Sequence, residues 1–300
     1  MTTKPDYLTV QLVGGLGNQL FGYVAGLAHA RRFNRTVYFD VSRLSKGFTD
    51  HGSDLRSFDL EGTFTLEPKT LHFLRKLVTG LGVICPPIAT PLQNAVGQWT
   101  AESVSQPIPD FPRHKKYLIR GYFQTRRYIT ELVDDGFAIS LKTPSKWFQD
   151  LETDARRVRP IMMHVRRGDY LGLSEEIGLL DATYFVGALE RVQSAVAQLE
   201  GREVWVFSDD IDMVMREFEG LSRANLKWIN VPEDADDAES LLLMSLGTAN
   251  IISNSTFSWW SAALNPKSVV VAPAKWFRGK DDPEDLIPES WIRLPSIWKD

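Results

Sequence analysis

Three hundred residues carrying a formal charge of −4 give room for one large domain or two ordinary ones, each with its own core, and leave no global basic surface for nucleic acid. A single cysteine, Cys85, excludes an intramolecular disulfide framework. The polar opening from Met1 to Tyr7 has no signal-peptide pattern and no apolar run is long enough to span a bilayer, so a cytoplasmic location is expected.

The alternating, β-branched run from Tyr7 to Val13 reads as a strand, and Gly14-Gly15-Leu16-Gly17-Asn18-Gln19 as a tight turn after it. Small and apolar residues from Leu20 to Phe33 suit a helix lying close on a sheet, and Val37 to Asp40 a second strand, which together begin a βαβ unit. A helix is expected over 67–81, irregular chain over 85–112, a strand over 117–122, and helices over 126–135 and 145–157. The stretch from Lys142 to Arg159, ahead of Pro160, is the expected domain boundary.

The second half alternates more clearly. Strands are expected over 161–166, 203–208, 226–231, 250–253 and 268–272. Between them run a long helix from Asp181 with apolar residues at 185, 189, 192, 196 and 199, a short one through Met215 and Phe218, and others over 237–247 and 256–264. Alternation of this kind predicts a parallel sheet with helices on both faces, and two Rossmann-like halves with a cleft between them.

Four clusters carry chemistry. His164-Val165-Arg166-Arg167-Gly168-Asp169-Tyr170 ends a buried strand in two arginines, whose planar donor forks suit the oxygens of a diphosphate. Neighbouring side chains on a strand point to opposite faces, so one arginine is expected to reach a ligand while the other pairs with a carboxylate such as Asp169; an ion pair at the strand end is the plain alternative. His164 shares the face of Arg166. In the glycine turn, Gly15 and Gly17 hold the first two places of a dinucleotide fingerprint, but the third is Leu20. Asn18 and Gln19 there offer amides to a neutral group such as a sugar hydroxyl. Ser253-Asn254-Ser255-Thr256-Phe257-Ser258 opens a helix with more hydroxyls than capping needs, at an end that favours anions. Phe207-Ser208-Asp209-Asp210-Ile211-Asp212 admits a metal site at Asp210 and Asp212, a helix cap, or an aspartate accepting from a guanine edge, of which the guanine reading is preferred over the metal.

These clusters, with Gly121-Tyr122-Phe123-Gln124, occur in an order that resembles the α-1,2-fucosyltransferases that use GDP-fucose, and they spread across nearly the whole chain. The resemblance implies a GT-B-like α/β fold, with an acceptor-side domain over 1–150 and a GDP-fucose-binding domain over 151–300. It implies inverting, metal-independent transfer of L-fucose to the 2-hydroxyl of a galactose residue in a glycan, without a cofactor. Arg166 would hold the diphosphate and Asn18 would lie near the fucose. Gly15, Gly17, Gln19, His164, Arg167, Asp209, Asp210 and Asn254 to Ser258 would line the substrates. Asp169, Glu175 and Glu176 are the candidates for a base; Asp169 could equally be a salt-bridge partner. An NAD-linked oxidoreductase, resting on Gly15, Gly17 and Asp40, and a non-catalytic carbohydrate-binding protein, resting on nine tryptophans, are the rivals. A soluble form would suit an acceptor assembled at the cytoplasmic face of a membrane, with peripheral contact to it.

Overall fold

The computed structural model describes residues 7–42, 44, 55–65, 97–111, 117–133, 137–195, 197–220 and 225–299. The expected helix over 67–81, and Cys85, lie outside them. The chain forms two compact units: Met1–Ile139 with Pro283–Leu286, and Ser140–Asp282 with Ile287–Asp300. The division thus falls ahead of residue 150, and a later segment returns to the first unit. That return is held by Arg126, whose side chain pairs with Asp285 at 2.8 Å and whose N–H donates to the Asp285 carbonyl.

In the first unit, β1 (Tyr7–Gln11), β2 (Thr36–Asp40), β4 (Thr63–Thr65), β5 (Gln98–Thr100) and β6 (Tyr117–Arg120) form a parallel sheet in the order β4-β2-β1-β6-β5, with the two-residue β3 (Phe58–Asp59) outside it. Helix α1 (Leu16–Phe33) is buried from Leu16 to Ala30 except at Asn18. Its glycines explain this. A Cβ on Gly26 would stand 2.8 Å from Val10 and 3.0 Å from Phe39, and one on Gly22 would stand 3.2 Å from Leu12. The close helix–sheet approach that a dinucleotide fingerprint assigns to its third glycine is therefore made two and six residues later, leaving the Leu20 side chain free to fill the core. Helix α2 (Arg127–Val133) packs on α1.

The second unit begins with β7 (Ser140–Leu141) and helix α3 (Lys146–Val158). Its sheet contains β8 (Ile161–Val165), β9 (Val204–Ser208), β10 (Leu226–Trp228), β11 (Ala249–Ile251), β12 (Val269–Pro273) and β13 (Ile292–Leu294), all parallel, in the order β10-β9-β8-β11-β12-β13. Counted along this unit, that is the 3-2-1-4-5-6 order of doubly wound sheets. β8 is buried at every position because both faces are covered. Ile161, Met163 and Val165 face a cluster with Tyr184, Phe185, Leu189 and Val192 of α4 (Ala182–Ala195), and with α5 (Ile211–Phe218). Met162 faces the other cluster, with Trp205, Phe148 of α3 and Leu243 of α6 (Asp237–Met244). Each large side chain buried in these layers contributes about 1.5–3 kcal/mol. Helix α3 is thus the cover of one sheet face, where the sequence suggested a domain boundary. Helix α7 (Thr256–Ala263) follows β11.

The glycines separate packing from flexibility. Gly26→Ala should destabilise the protein by about 1–3 kcal/mol through overpacking. Gly187→Ala, on α4 with nothing within 4 Å of the added Cβ, should stabilise it by about 0.5–1 kcal/mol. Thermal unfolding of the two variants would show opposite shifts; a stable Gly26→Ala would refute the packing account.

Candidate active site

Parallel pairing sets the motifs of the second unit side by side. In register, His164 lies opposite Phe207 and Val165 opposite Ser208, so Arg166 and Asp209 leave adjacent strands together. On the other flank β11 pairs with β8 and releases Ser253 to Ser258 at the same edge. Strand order reverses between β8 and β11, and ligands of open α/β sheets bind outside the strand ends at such a point.

The two arginines have separate tasks. Arg167 is 0% exposed. Its Nε and Nη2 donate to Glu217 Oε2 at 2.8 and 2.7 Å, and its Nη1 donates to the Arg166 carbonyl at 2.8 Å. Glu217, on α5, also binds Lys299. Burial alone would raise the Glu217 carboxyl, but hydrogen bonds from Lys299 and Arg167 outweigh this and hold it below the usual carboxylate range. The expectation that Arg167 binds substrate is thus corrected: its charge meets Glu217 in the interior.

Arg166 keeps 17% of its side chain exposed, with Nε 3.2 Å from Asp209 Oδ2 and its guanidinium 5.4 Å from the centre of the Tyr170 ring. The Arg167 N–H donates to Asp209 Oδ1 at 2.7 Å. Asp209 therefore grips the arginine loop from both sides. Gly168 is required by the same carboxylate, since a Cβ would collide with Asp209 Oδ2. Asp210 caps α5, accepting from the Met213 N–H at 3.0 Å, while Asp212 lies exposed in the first turn. Both observations fit the capping alternative.

The hydroxyl cluster also divides. Asn254 is 2% exposed and its amide lies 3.1 Å from the carbonyls of Ile177, Gly178 and Trp276. Ser258 is fully buried and bonds the carbonyls of Ser253 and Ser255. These two shape the loop and do not line a ligand surface, contrary to expectation. Ser255 caps α7 through the Phe257 N–H. Thr256 and Phe257 are half-buried, at the helix end where N–H groups lack intrahelical acceptors. His164 Nδ1 lies 3.1 Å from Ser253 Oγ, tying β8 to the loop after β11. Complete burial, and secondarily the Arg166 charge, hold the His164 imidazole down to about 3, so it is neutral. The side chain of Asp169 lies outside the described residues; its backbone belongs to the 3-10 turn Gly168–Leu173. Glu175 is exposed, and Glu176 pairs with Lys280 at 2.8 Å, which lowers its carboxyl. That shift is opposite to what a general base needs near neutrality.

In the first unit the glycine turn follows β1 and the Gly121 motif follows β6, its parallel neighbour. Gly14 has φ +73°, and a Cβ there would stand 2.8 Å from Asn18 Nδ2. Nothing lies within 4 Å of a Cβ on Gly15. Gly17 is buried in the first turn of α1. Gln19, expected among the ligand residues, is fully buried, donating to the Gly14 carbonyl at 2.9 Å and accepting from the Leu55 N–H. Asn18 is half-buried, and its Oδ1 accepts from Gln124 Nε2 at 2.9 Å. Phe123 has φ +52°, a conformation that costs a non-glycine residue about 1–2 kcal/mol. Its ring folds back under Gly121, where a Cβ would stand 2.8 Å from it. Asp40, the acid of the NAD reading, is buried and accepts from Gln11 at 2.8 Å and the Ser42 N–H at 2.9 Å. Trp205, Trp259, Trp260 and Trp276 are buried packing residues.

Sequence reading missed Glu217 and gave Gln124 no role. Nothing in the spacing of Glu217 marks it, because its partner stands 50 residues away. The Gln124 signal was present, as an amide in a short motif after a strand.

A buried neutral histidine links stability to pH. The folded His164 value lies below the unfolded value of about 6.5, so unfolding takes up a proton. Its contribution is complete above about pH 6.5 and is lost as pH falls toward about 3. Denaturant melts should therefore show the stability gap between wild type and His164→Asn narrowing through this window; a constant gap would refute the assignment.

The profile of Glycosyl transferase family 11 matches residues 98–294. An α-1,2-colitosyltransferase of Escherichia coli is 28% identical over 96% of this chain and 98% of its own. The O-antigen biosynthesis glycosyltransferase WbnK of Escherichia coli is 36% identical over 44% of this chain and 43% of its own. Among solved structures, the fucosyltransferase NodZ from Bradyrhizobium shares the fold at TM-score 0.51 and 15% identity, covering 88% of this chain and 95% of its own. A structure of NodZ α-1,6-fucosyltransferase soaked with GDP-fucose gives the same score over 94% of its chain. Two Rossmann-like parallel sheets, a family profile spanning most of the chain and a relative aligned almost end to end agree: this chain belongs to glycosyl transferase family 11.

Proposed function

We propose that this glycosyltransferase moves L-fucose from GDP-fucose to the 2-hydroxyl of a galactose residue in a glycan, by inversion and without a metal. The observation that carries the reading is Arg166: a partly exposed guanidinium held by Asp209 at the strand-order reversal, where α7 begins. The acceptor oxygen attacks the anomeric carbon as the bond to the diphosphate breaks, so negative charge grows on the departing GDP. Arg166 and the first-turn N–H groups of α7, around Thr256 and Phe257, are preorganised donors for that charge. The proton of the attacking hydroxyl goes to a carboxylate, for which Asp169 is the nearest in sequence to Arg166. Asn18 serves the fucose.

The α-1,2 specificity in the colitosyltransferase name supports the linkage. Colitose is the 3-deoxy counterpart of L-fucose, so the two donors differ by one hydroxyl. The NAD reading loses its ribose acid, because Asp40 is engaged by Gln11 and Ser42.

The protein incubated with GDP-fucose and galactose-terminated acceptors should yield a 2-linked fucosyl product by NMR, undiminished by a chelator. Preference for the 3-deoxy donor would reassign the sugar; no transfer from either would sink the proposal. Loss on chelation would overturn metal independence. Arg166→Ala should abolish transfer and weaken GDP binding at least about tenfold, the equivalent of one charge-assisted bond, while the melting temperature holds. Arg167→Ala should instead destabilise the fold, by about 3–5 kcal/mol, as expected for breaking a buried ion pair.

A further inference from the structure

Asn18 is held from two directions. Gly14 lies against its Nδ2, closely enough that no side chain fits between them, and Gln124 Nε2 donates to its Oδ1 at 2.9 Å. With the carbonyl oxygen occupied, the group left to a ligand is the Nδ2 donor, which lies beside Gly14.

Gln124 is itself placed at some cost. It is 7% exposed, its N–H donates to the Val104 carbonyl at 2.7 Å, and it follows the left-handed Phe123. Its Oε1 is buried with no hydrogen-bond partner among the described residues. A buried amide that uses its donor end and leaves its acceptor end unmatched does little for stability, and such exceptions call for a functional account. The polarity of the pair is also constrained. Turning only one amide would bring two oxygens or two N–H groups together. Turning both would leave the Gln124 N–H groups in place of the orphan oxygen, and buried orphan donors are rarer than under-used carbonyls.

We propose that Gln124 is a positioning residue of the transfer reaction: by occupying Asn18 Oδ1, it presents Asn18 Nδ2 as a fixed hydrogen-bond donor to the transferred sugar. The proposal rests on the reading of Asn18 given above. It assigns Gln124 to the sugar part of the donor.

The test uses Gln124→Met, which keeps the volume and loses the hydrogen bond, and Gln124→Glu, which reverses its polarity. In Gln124→Met, kcat should fall about tenfold or more, as for loss of one transition-state interaction, with GDP affinity within about twofold of wild type. In the Asn18→Ala background Gln124→Met should cost nothing further in kcat. An ionised carboxylate only accepts, so Gln124→Glu should turn the Asn18 amide and lose activity near neutrality. Protonation restores a donor, so its activity relative to wild type should rise from about pH 8 to about pH 5.5. Independent, multiplicative losses in the double variant, a flat pH ratio, or unchanged kcat in Gln124→Met would each overturn the proposal. Wild type without transfer from either donor would instead remove the parent reading. Active wild type with a fully active Asn18→Ala would remove only this one.

Discussion

Parallel pairing on both flanks of β8 is the constraint on which the second unit depends. A strand buried on both faces can release its polar residues only at its ends, and its neighbours in the same direction must release theirs at the same edge. Arg166, Asp209 and the hydroxyl loop before α7 come from three strands and from positions 166, 209 and 253 onward, yet the sheet leaves them no other edge. The order reversal then falls between the β8 and β11 loops, the point at which open α/β sheets bind ligands.

Both units solve the same difficulty at that reversal. Two loops leave adjacent strands of very different sequence position, and a side-chain hydrogen bond joins them. In the second unit His164 meets Ser253, 89 residues apart. In the first, Gln124 meets Asn18, 106 residues apart. In the second, a buried neutral imidazole makes the link; in the first, an amide does. The chemistry differs accordingly: the second unit presents a cation held by a carboxylate, and the first presents an uncharged amide suited to sugar hydroxyls.

Much of this was legible in the sequence. The alternation of strands and helices after residue 160 gave the second sheet, and opposite facing of neighbouring side chains separated Arg166 from Arg167. The glycine turn was readable too, although close packing is made by Gly22 and Gly26. What stayed hidden was which polar residues point inward. Gln19, Asn254 and Ser258 have the composition of ligand residues, but each satisfies carbonyls or N–H groups that a tight buried loop leaves behind. Sequence shows a donor or acceptor without showing where its partner lies. The helix from Lys146 looked like a domain boundary for a related reason: its charged residues are conspicuous, while Phe148 and Ala155, which bind it to the sheet, are few.

The Glu217 bridge has a consequence for the order of assembly. Glu217 holds Arg167 on one side and Lys299 on the other, across 50 and 82 residues of chain. Contacts of such span form late, because loop closure must precede them. The backbone that aims Arg166 is anchored through Arg167 and Glu217, and the segment around residue 299 completes that anchor when it docks. During synthesis, the second sheet can therefore be largely built while its Arg166 loop is still unset. A nascent chain released short of Lys299 would carry every motif residue and lack one of the two cations that hold Glu217.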